Sequence, residues 1–148
     1  PGTYEGQCKE FCGLSHAYMR FTVVAHTPED FERWVADQQA PAAPPDGAAA
    51  EGLQVFLEAG PAGCTECHAV AGLRDPSGET IRGSNNAPDL THFASRECFA
   101  GCMFENNDEN LRRWLDDPPA MKPGSLMPDY ELSPEEIEQL IAYLDTLE

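Results

Sequence analysis

Basic side chains are scarce: nine Lys and Arg stand against 26 Asp and Glu, a formal net charge of −17 over 148 residues. This balance excludes general binding to a phosphate backbone, so no nucleic acid is expected, and it disfavours an anionic membrane surface. It leaves a protein partner with a basic face, or simply a well-solvated surface. Long apolar runs are also missing. No stretch approaches the ~20 residues of a membrane span and no secretory leader is present, so any membrane anchor or targeting signal is expected upstream of Pro1 or on another chain. The length suits one domain and part of another rather than two full cores. Cysteine, by contrast, is plentiful. The six cysteines fall into three spaced pairs, Cys8/Cys12, Cys64/Cys67 and Cys98/Cys102, which suggests three separate tasks rather than one disulfide framework.

The middle pair lies in Cys64-Thr65-Glu66-Cys67-His68. Two cysteines separated by two residues, with a histidine directly after the second, form the attachment signature of a c-type haem. Each thiol adds to a vinyl group and the imidazole becomes an axial iron ligand. One helical turn puts Cys64 and Cys67 on the same side while His68 turns toward the iron. A redox-active thiol pair and half a zinc site are the competing readings. The immediate histidine, and the lack of a nearby second pair to close a zinc tetrahedron, argue against both.

Near the start, Cys8, Cys12, His16 and Met19 fall within twelve positions, followed by a run of strand character from Arg20 to Ala25. Two thiolates, an imidazole and a thioether are soft ligands of the kind that select copper. A Cys8–Cys12 disulfide with an incidental His and Met accounts for fewer of the residues. The stretch from Cys8 to Met19 resembles the ligand loop of the binuclear copper centre, CuA, in subunit II of haem-copper oxygen reductases. The resemblance implies that Cys8 and Cys12 bridge two coppers, that Glu10 contributes its main-chain carbonyl, and that His16 and Met19 each bind one copper. The family's second histidine belongs to an earlier strand, as does most of the cupredoxin sandwich. The loop is therefore expected to be disordered, disulfide-paired, or folded against the haem domain or a neighbouring chain, with no working copper pair in this chain alone. Nitrous oxide reductases carry a similar loop, but Glu10 between the cysteines and Gly13 after the second fit the oxidase pattern better.

Thr27-Pro28-Glu29-Asp30 reads as an N-cap, a first-position proline and acids in the first turn of a short helix with Phe31, Trp34 and Val35 on its apolar face. His26 before it reads as a surface or packing residue. Ala40 to Ala50 is rich in proline and alanine, a linker spanning at most roughly 34 Å if extended, and expected to let one domain swivel against the other. Leu53, Phe56 and Leu57 then recur at helical spacing up to Gly60-Pro61. Ser133-Pro134-Glu135-Glu136 opens a last helix with Ile137, Leu140, Ile141 and Leu144 on one face. This pair of helices resembles the crossing N- and C-terminal helices of the cytochrome c fold, with Gly52 and Phe56 meeting Leu140 and Tyr143.

The sixth iron ligand decides whether a haem transfers electrons or binds small molecules, and a thioether favours transfer. Met103, Met121, Met127 and His92 are the candidates. Met127 lies in Met121-Lys122-Pro123-Gly124-Ser125-Leu126-Met127-Pro128, which resembles the methionine-ligand loop of bacterial cytochromes c; the resemblance selects Met127, with Met121 second. Ala87-Pro88-Asp89-Leu90 resembles the family's Gly-Pro-Asn-Leu loop. It implies that the Pro88 carbonyl accepts the hydrogen bond of the proximal histidine and that Leu90 packs on the haem; Ala87 replaces the family's glycine. Arg82, Arg96 and Trp114 are candidates for the haem propionates, with surface roles for the arginines and packing for Trp114 as alternatives. Cys98 and Cys102, four apart, would bring their Cα atoms to roughly 6.2 Å on a helix, within disulfide reach.

The resemblance covers the whole chain and implies a mainly α protein: a cytochrome c fold around one covalent haem c, preceded by a truncated cupredoxin (CuA) β remnant with a short helix. The implied divisions are the CuA remnant over 1–39, the linker over 40–50 and the cytochrome c domain over 51–148. The implied task, within an oxygen reductase, is to take electrons from an external donor, a cytochrome or other small redox protein, and pass them through haem c to CuA. From there they reach the oxygen-reducing subunit I, at the periplasmic or extracytoplasmic face of the cytoplasmic membrane. A haem-fused nitrous oxide reductase and a free-standing carrier cytochrome are the alternatives.

Overall fold

The computed structural model describes residues 1–61 and 63–148. Strands β1 (Gly2–Gln7) and β2 (Arg20–Ala25) pair antiparallel from Gly2↔Ala25 to Gln7↔Arg20. β2 has the bounds its β-branched and aromatic residues predict, whereas β1, with two glycines in six residues, gives little strand signal of its own. The Phe21 ring fills the space above Gly6, where a Cβ would lie 2.2 Å from it. Helix α1 (Pro28–Gln38) follows, capped by the Thr27 hydroxyl, which accepts from the Asp30 N–H at 3.2 Å. Phe31 and Trp34 stack on each other and His26 stacks on Trp34, so the apolar face is formed, but it remains exposed.

Helix α2 (Gly47–Glu58) starts before the expected end of the linker, so Gly47 to Ala50 are its first turn. The rest of the linker is held down rather than loose. Ala42 N–H donates to the Ala71 carbonyl at 2.9 Å, and Pro41 lies over Gly72. A short hairpin of β3 (Cys98–Phe99) and β4 (Phe104–Glu105) leads into α3 (Asp108–Asp116), the single turn α4 (Pro118–Met121) and the final α5 (Pro134–Leu144). Asn107 caps α3, and Ser133 with Glu136 forms the reciprocal capping box of α5.

The core is the α2–α5 crossing with α3 packed beside α5. Gly52 makes the close approach possible: a Cβ there would lie 1.9 Å from the Gln139 carbonyl oxygen and 2.8 Å from Tyr143 Cβ. The Phe56 and Tyr143 rings meet at 5.3 Å, tilted by 57°. Leu53, Leu111, Leu115, Ile137, Leu140, Ile141 and Leu144 belong to the same buried cluster, which extends to Val70, Leu73, Phe93, Phe99 and Leu147. Removing their apolar surface from water is the main stabilising contribution here. Cys98 and Cys102 form a disulfide, with Cα atoms 4.9 Å apart. It closes a hairpin turn rather than a helical one, because Ala100, Gly101 and Cys102 all take positive φ, which no right-handed helix allows. Among the described residues no helix is long and apolar enough to cross a membrane.

Candidate functional site

The haem motif sits directly after α2. Gly63 (φ +71°) brings the backbone against the end of that helix, where a Cβ would lie 2.2 Å from the Leu57 oxygen. A single 3-10 turn over Cys64–Glu66 follows, and the N–H groups of Cys67 and His68 both donate to the Cys64 carbonyl, at 3.1 and 2.9 Å. Both thiols thus belong to one turn. The segment after them is stitched to the 84–91 loop: Ser84 N–H donates to Thr65 O at 3.0 Å, Ala87 to Cys67 O at 2.9 Å and Leu90 to Ala69 O at 2.9 Å. Ala71 N–H donates to the Thr91 hydroxyl at 2.8 Å.

That ladder sets Pro88 opposite the histidine, and His68 Nδ1 lies 2.7 Å from the Pro88 carbonyl oxygen. A carbonyl only accepts, so Nδ1 carries the proton in this bond, and Nε2 presents its lone pair. Gly83 backs the arrangement. A Cβ there would stand 2.0 Å from the His68 oxygen, a close approach that the sequence shows only as an unexplained glycine after Arg82.

Met127, Leu90, Trp114, Ile81 and Cys64 are half-buried and border the same core cluster. Burial pushes the Cys64 thiol up to about 11, the opposite of the acidic thiol that a thioredoxin-type pair needs. Tyr130, not singled out from the sequence, packs over Gly60. Its hydroxyl is raised first by burial and then by the Cys64 and Cys67 thiols. Two thiols on one turn, an imidazole with Nε2 available and an apolar border fit a covalently attached haem.

The other expected residues are placed as follows. Arg82 is exposed. Arg96 donates to the Asp89 carbonyl and lies over the Phe93 ring, 5.8 Å from its centroid; burial lowers its pKa. Trp114 packs edge-on against Phe99 at 5.8 Å and near Phe104 at 6.3 Å. His92 is buried with Nδ1 2.7 Å from the Glu148 main-chain oxygen and Nε2 3.2 Å from that of Gln38. Both nitrogens are engaged away from the haem motif, which removes His92 from the candidate iron ligands.

The second site is the loop between β1 and β2. Met19 O accepts from the Cys8 N–H at 3.1 Å, and a 3-10 turn over His16–Tyr18 folds the loop back. Its soft donors converge. Cys8 Sγ is 3.6 Å from Cys12 Sγ and 3.1 Å from the Glu10 carbonyl oxygen; Cys12 Sγ is 3.5 Å from His16 Nδ1 and 3.4 Å from Met19 Sδ. Cys8 and Cys12 are free thiols. Among the described residues, Cys8, Cys12 and His16 are the cluster of ligating side chains close enough to share a metal ion. The Cys12 thiol is raised, chiefly by its hydrogen bond to Cys8. Four soft donors and one carbonyl oxygen, gathered by the hairpin, fit copper.

The loop is neither loose nor disulfide-paired but folded against the haem-motif domain. Ser15 Oγ donates to the Pro123 carbonyl at 2.7 Å, Arg20 N–H donates to the Gly101 carbonyl at 3.2 Å, and Leu14 lies over Gly124. Lys122 Nζ braces the same face by donating to the Ala100 carbonyl at 2.9 Å.

Residues 49–148 match the family model of cytochrome c. The chain belongs to the cytochrome c family. It is also 41% identical over 149 residues to cytochrome c oxidase subunit 2 of Alkalihalophilus pseudofirmus, covering 99% of this chain and 40% of the relative. Similarity to the same subunit of Bacillus sp. strain PS3 is 37% over 150 residues, covering 99% of this chain and 40% of that one. For Bacillus subtilis it is 34% over 145 residues, covering 96% and 38%. The chain thus spans about 40% of the length of these relatives. Similarity reaching across both the copper-type loop and the cytochrome c domain supports a subunit II with a fused cytochrome c domain. These relatives are subunits of an oxidoreductase.

Proposed function

We propose that this chain is the electron-entry segment of a cytochrome c oxidase subunit II. It would receive electrons from an external donor at a haem c and deliver them to a CuA centre serving the oxygen-reducing subunit I. Cys64 and Cys67 would hold the haem, with His68 and Met127 on its two faces. Cys8, Cys12, His16, Met19 and the Glu10 carbonyl would hold copper, completed by the rest of the subunit. Bound there, each group supplies a one-electron couple. The parts of the chain would then be the copper domain over 1–39, a pinned connection up to Gly47 and the cytochrome c domain beyond it, facing the outside of the cytoplasmic membrane. The similarity to oxidase subunits favours this reading over a nitrous oxide reductase.

The observation that carries it is the convergence of four soft donors on a loop that itself rests on the segment carrying Met127. The chain's own residues do the preparatory work. Pro88 holds the His68 proton on Nδ1, and the 65–71/84–91 ladder keeps the imidazole from turning. A Met127 thioether opposite it would raise the reduction potential. The full-length subunit, produced with haem maturation and reconstituted with copper, tests the reading. Electron paramagnetic resonance should show a mixed-valence copper pair beside a low-spin haem. Haem without any copper signal would leave only a carrier cytochrome.

A further inference from the structure

The two sites are joined by one short crossing. Ser15 immediately precedes His16 of the soft-donor loop, Pro123 lies four residues before Met127, and the two are 108 residues apart in sequence. Their hydrogen bond is 2.7 Å long, with the Ser15 hydroxyl as donor and the Pro123 carbonyl as acceptor. Pro123 lacks an N–H and has its φ fixed by its ring. Gly124, at φ +83°, turns the chain there so closely that Leu14 covers it; a Cβ on Gly124 would stand 3.4 Å from Leu14 Cβ. The second contact, Arg20 N–H to Gly101 O at 3.2 Å, is longer and leads into the disulfide-closed turn rather than into the Met127 loop.

We propose that Ser15 is the positioning residue of this electron transfer. Its hydroxyl clamps the copper loop onto the Met127 loop and provides the hydrogen-bonded crossing by which the haem side couples to His16. This rests on the haem and copper reading above. Electronic coupling decays far more slowly through bonds and hydrogen bonds than across a van der Waals gap. Losing one crossing therefore slows transfer even where both cofactors are intact. With both groups bound, the haem would give up one electron, passing from ferrous to ferric, and the oxidised copper pair would accept that same electron. The Ser15 proton stays on its oxygen.

The test uses the full-length subunit, with Ser15→Ala, Ser15→Thr and Leu14→Ala as variants. The haem is reduced by a laser flash and its reoxidation is followed together with the copper band; potentials and spectra of both centres are recorded. Hydrogen–deuterium exchange is measured over residues 13–20 and 122–127 in the loaded and the cofactor-free chain. Ser15→Ala should slow the transfer several-fold at unchanged potentials and raise exchange in both segments, and Ser15→Thr should restore both. Leu14→Ala, which leaves the hydroxyl and His16 untouched, should loosen the same two segments and serves if Ser15→Ala disturbs the copper spectrum. Unchanged rate and exchange in Ser15→Ala would overturn the clamp while leaving the cofactor reading standing. An absent copper or haem spectrum in the wild type would sink that reading, and the exchange data on the cofactor-free chain would still decide the clamp.

Discussion

Gly52→Ala sets two physical effects of opposite sign against each other. In an exposed helix interior the change would be stabilising, since alanine is favoured over glycine by about 1 kcal/mol. At this position the new methyl would be placed 1.9 Å from the Gln139 carbonyl oxygen, 2.6 Å from its carbon and 2.8 Å from Tyr143 Cβ. Two of those three atoms are main chain, so no side-chain rotation relieves the clash. α5 must move off α2, and with it the Phe56–Tyr143 contact and the burial of Leu140, among the most buried residues of the core. Overpacking typically costs about 1–3 kcal/mol. A clash with main chain lies at the upper end, leaving a net loss of roughly 2 kcal/mol after the propensity gain. For a domain of this size that lowers Tm by about 8–16 °C. Thermal unfolding followed by far-ultraviolet circular dichroism measures it directly. A Tm equal to or above that of the wild type would refute the close-crossing account, because only the propensity gain would then be in play.

Four further outcomes are expected. Met127→Ala should abolish the weak red absorption band of a methionine–ferric haem while Met121→Ala leaves it; the reverse result would reassign the sixth ligand. Copper must displace protons from Cys8 and Cys12, and because the Cys12 thiol is raised by its bond to Cys8, protons compete strongly. Apparent copper affinity should therefore rise with pH through the neutral range, and a pH-independent titration would contradict thiolate ligation. Electron-donor kinetics should weaken with salt for a basic donor, since the charge of −17 acts through a Debye length of ~10 Å at 0.1 M; equal, flat responses to basic and acidic donors would make the charge a matter of solubility. Under denaturing, non-reducing conditions the cofactor-free chain should expose the four thiols of Cys8, Cys12, Cys64 and Cys67, with Cys98 and Cys102 appearing only on reduction. Six thiols before reduction would disprove the bridge.

What could be read from the residues depended on how local its cause was. The starts of α1 and α5 were legible because a hydroxyl, a proline and two acids in consecutive positions satisfy the free N–H groups of a first turn. The Pro88–His68 contact was legible through a family motif and not through spacing, since the two residues lie 20 apart and are brought together by the ladder. β1 was not legible: its pairing is imposed by β2 and by the Phe21 ring closing on Gly6. The Cys98–Cys102 bridge was foreseen on the wrong scaffold, because three consecutive positive-φ residues, two of them not glycine, leave no trace in a sequence. The docking of the soft-donor loop hangs on single long-range hydrogen bonds, and the swivelling linker gave way to a pinned one through Ala42 and Gln38 for the same reason.

The ladder beside His68 also partitions the chain into parts that tolerate change differently. Leu73 O accepts from the Ile81 N–H at 3.0 Å, closing off the excursion between them. At its tip, Asp75 gathers the N–H groups of Ser77 and Glu79 on one carboxylate oxygen, and Arg74 pairs with Thr80. The tip is tied to itself, and the rungs that orient the imidazole lie outside it. Extending a closed loop costs little, about 0.6 kcal/mol for each doubling of its length. Residues 75–79 are thus a natural insertion point, where a tag, a surface anchor or a reporter peptide can be grafted while His68 keeps its setting.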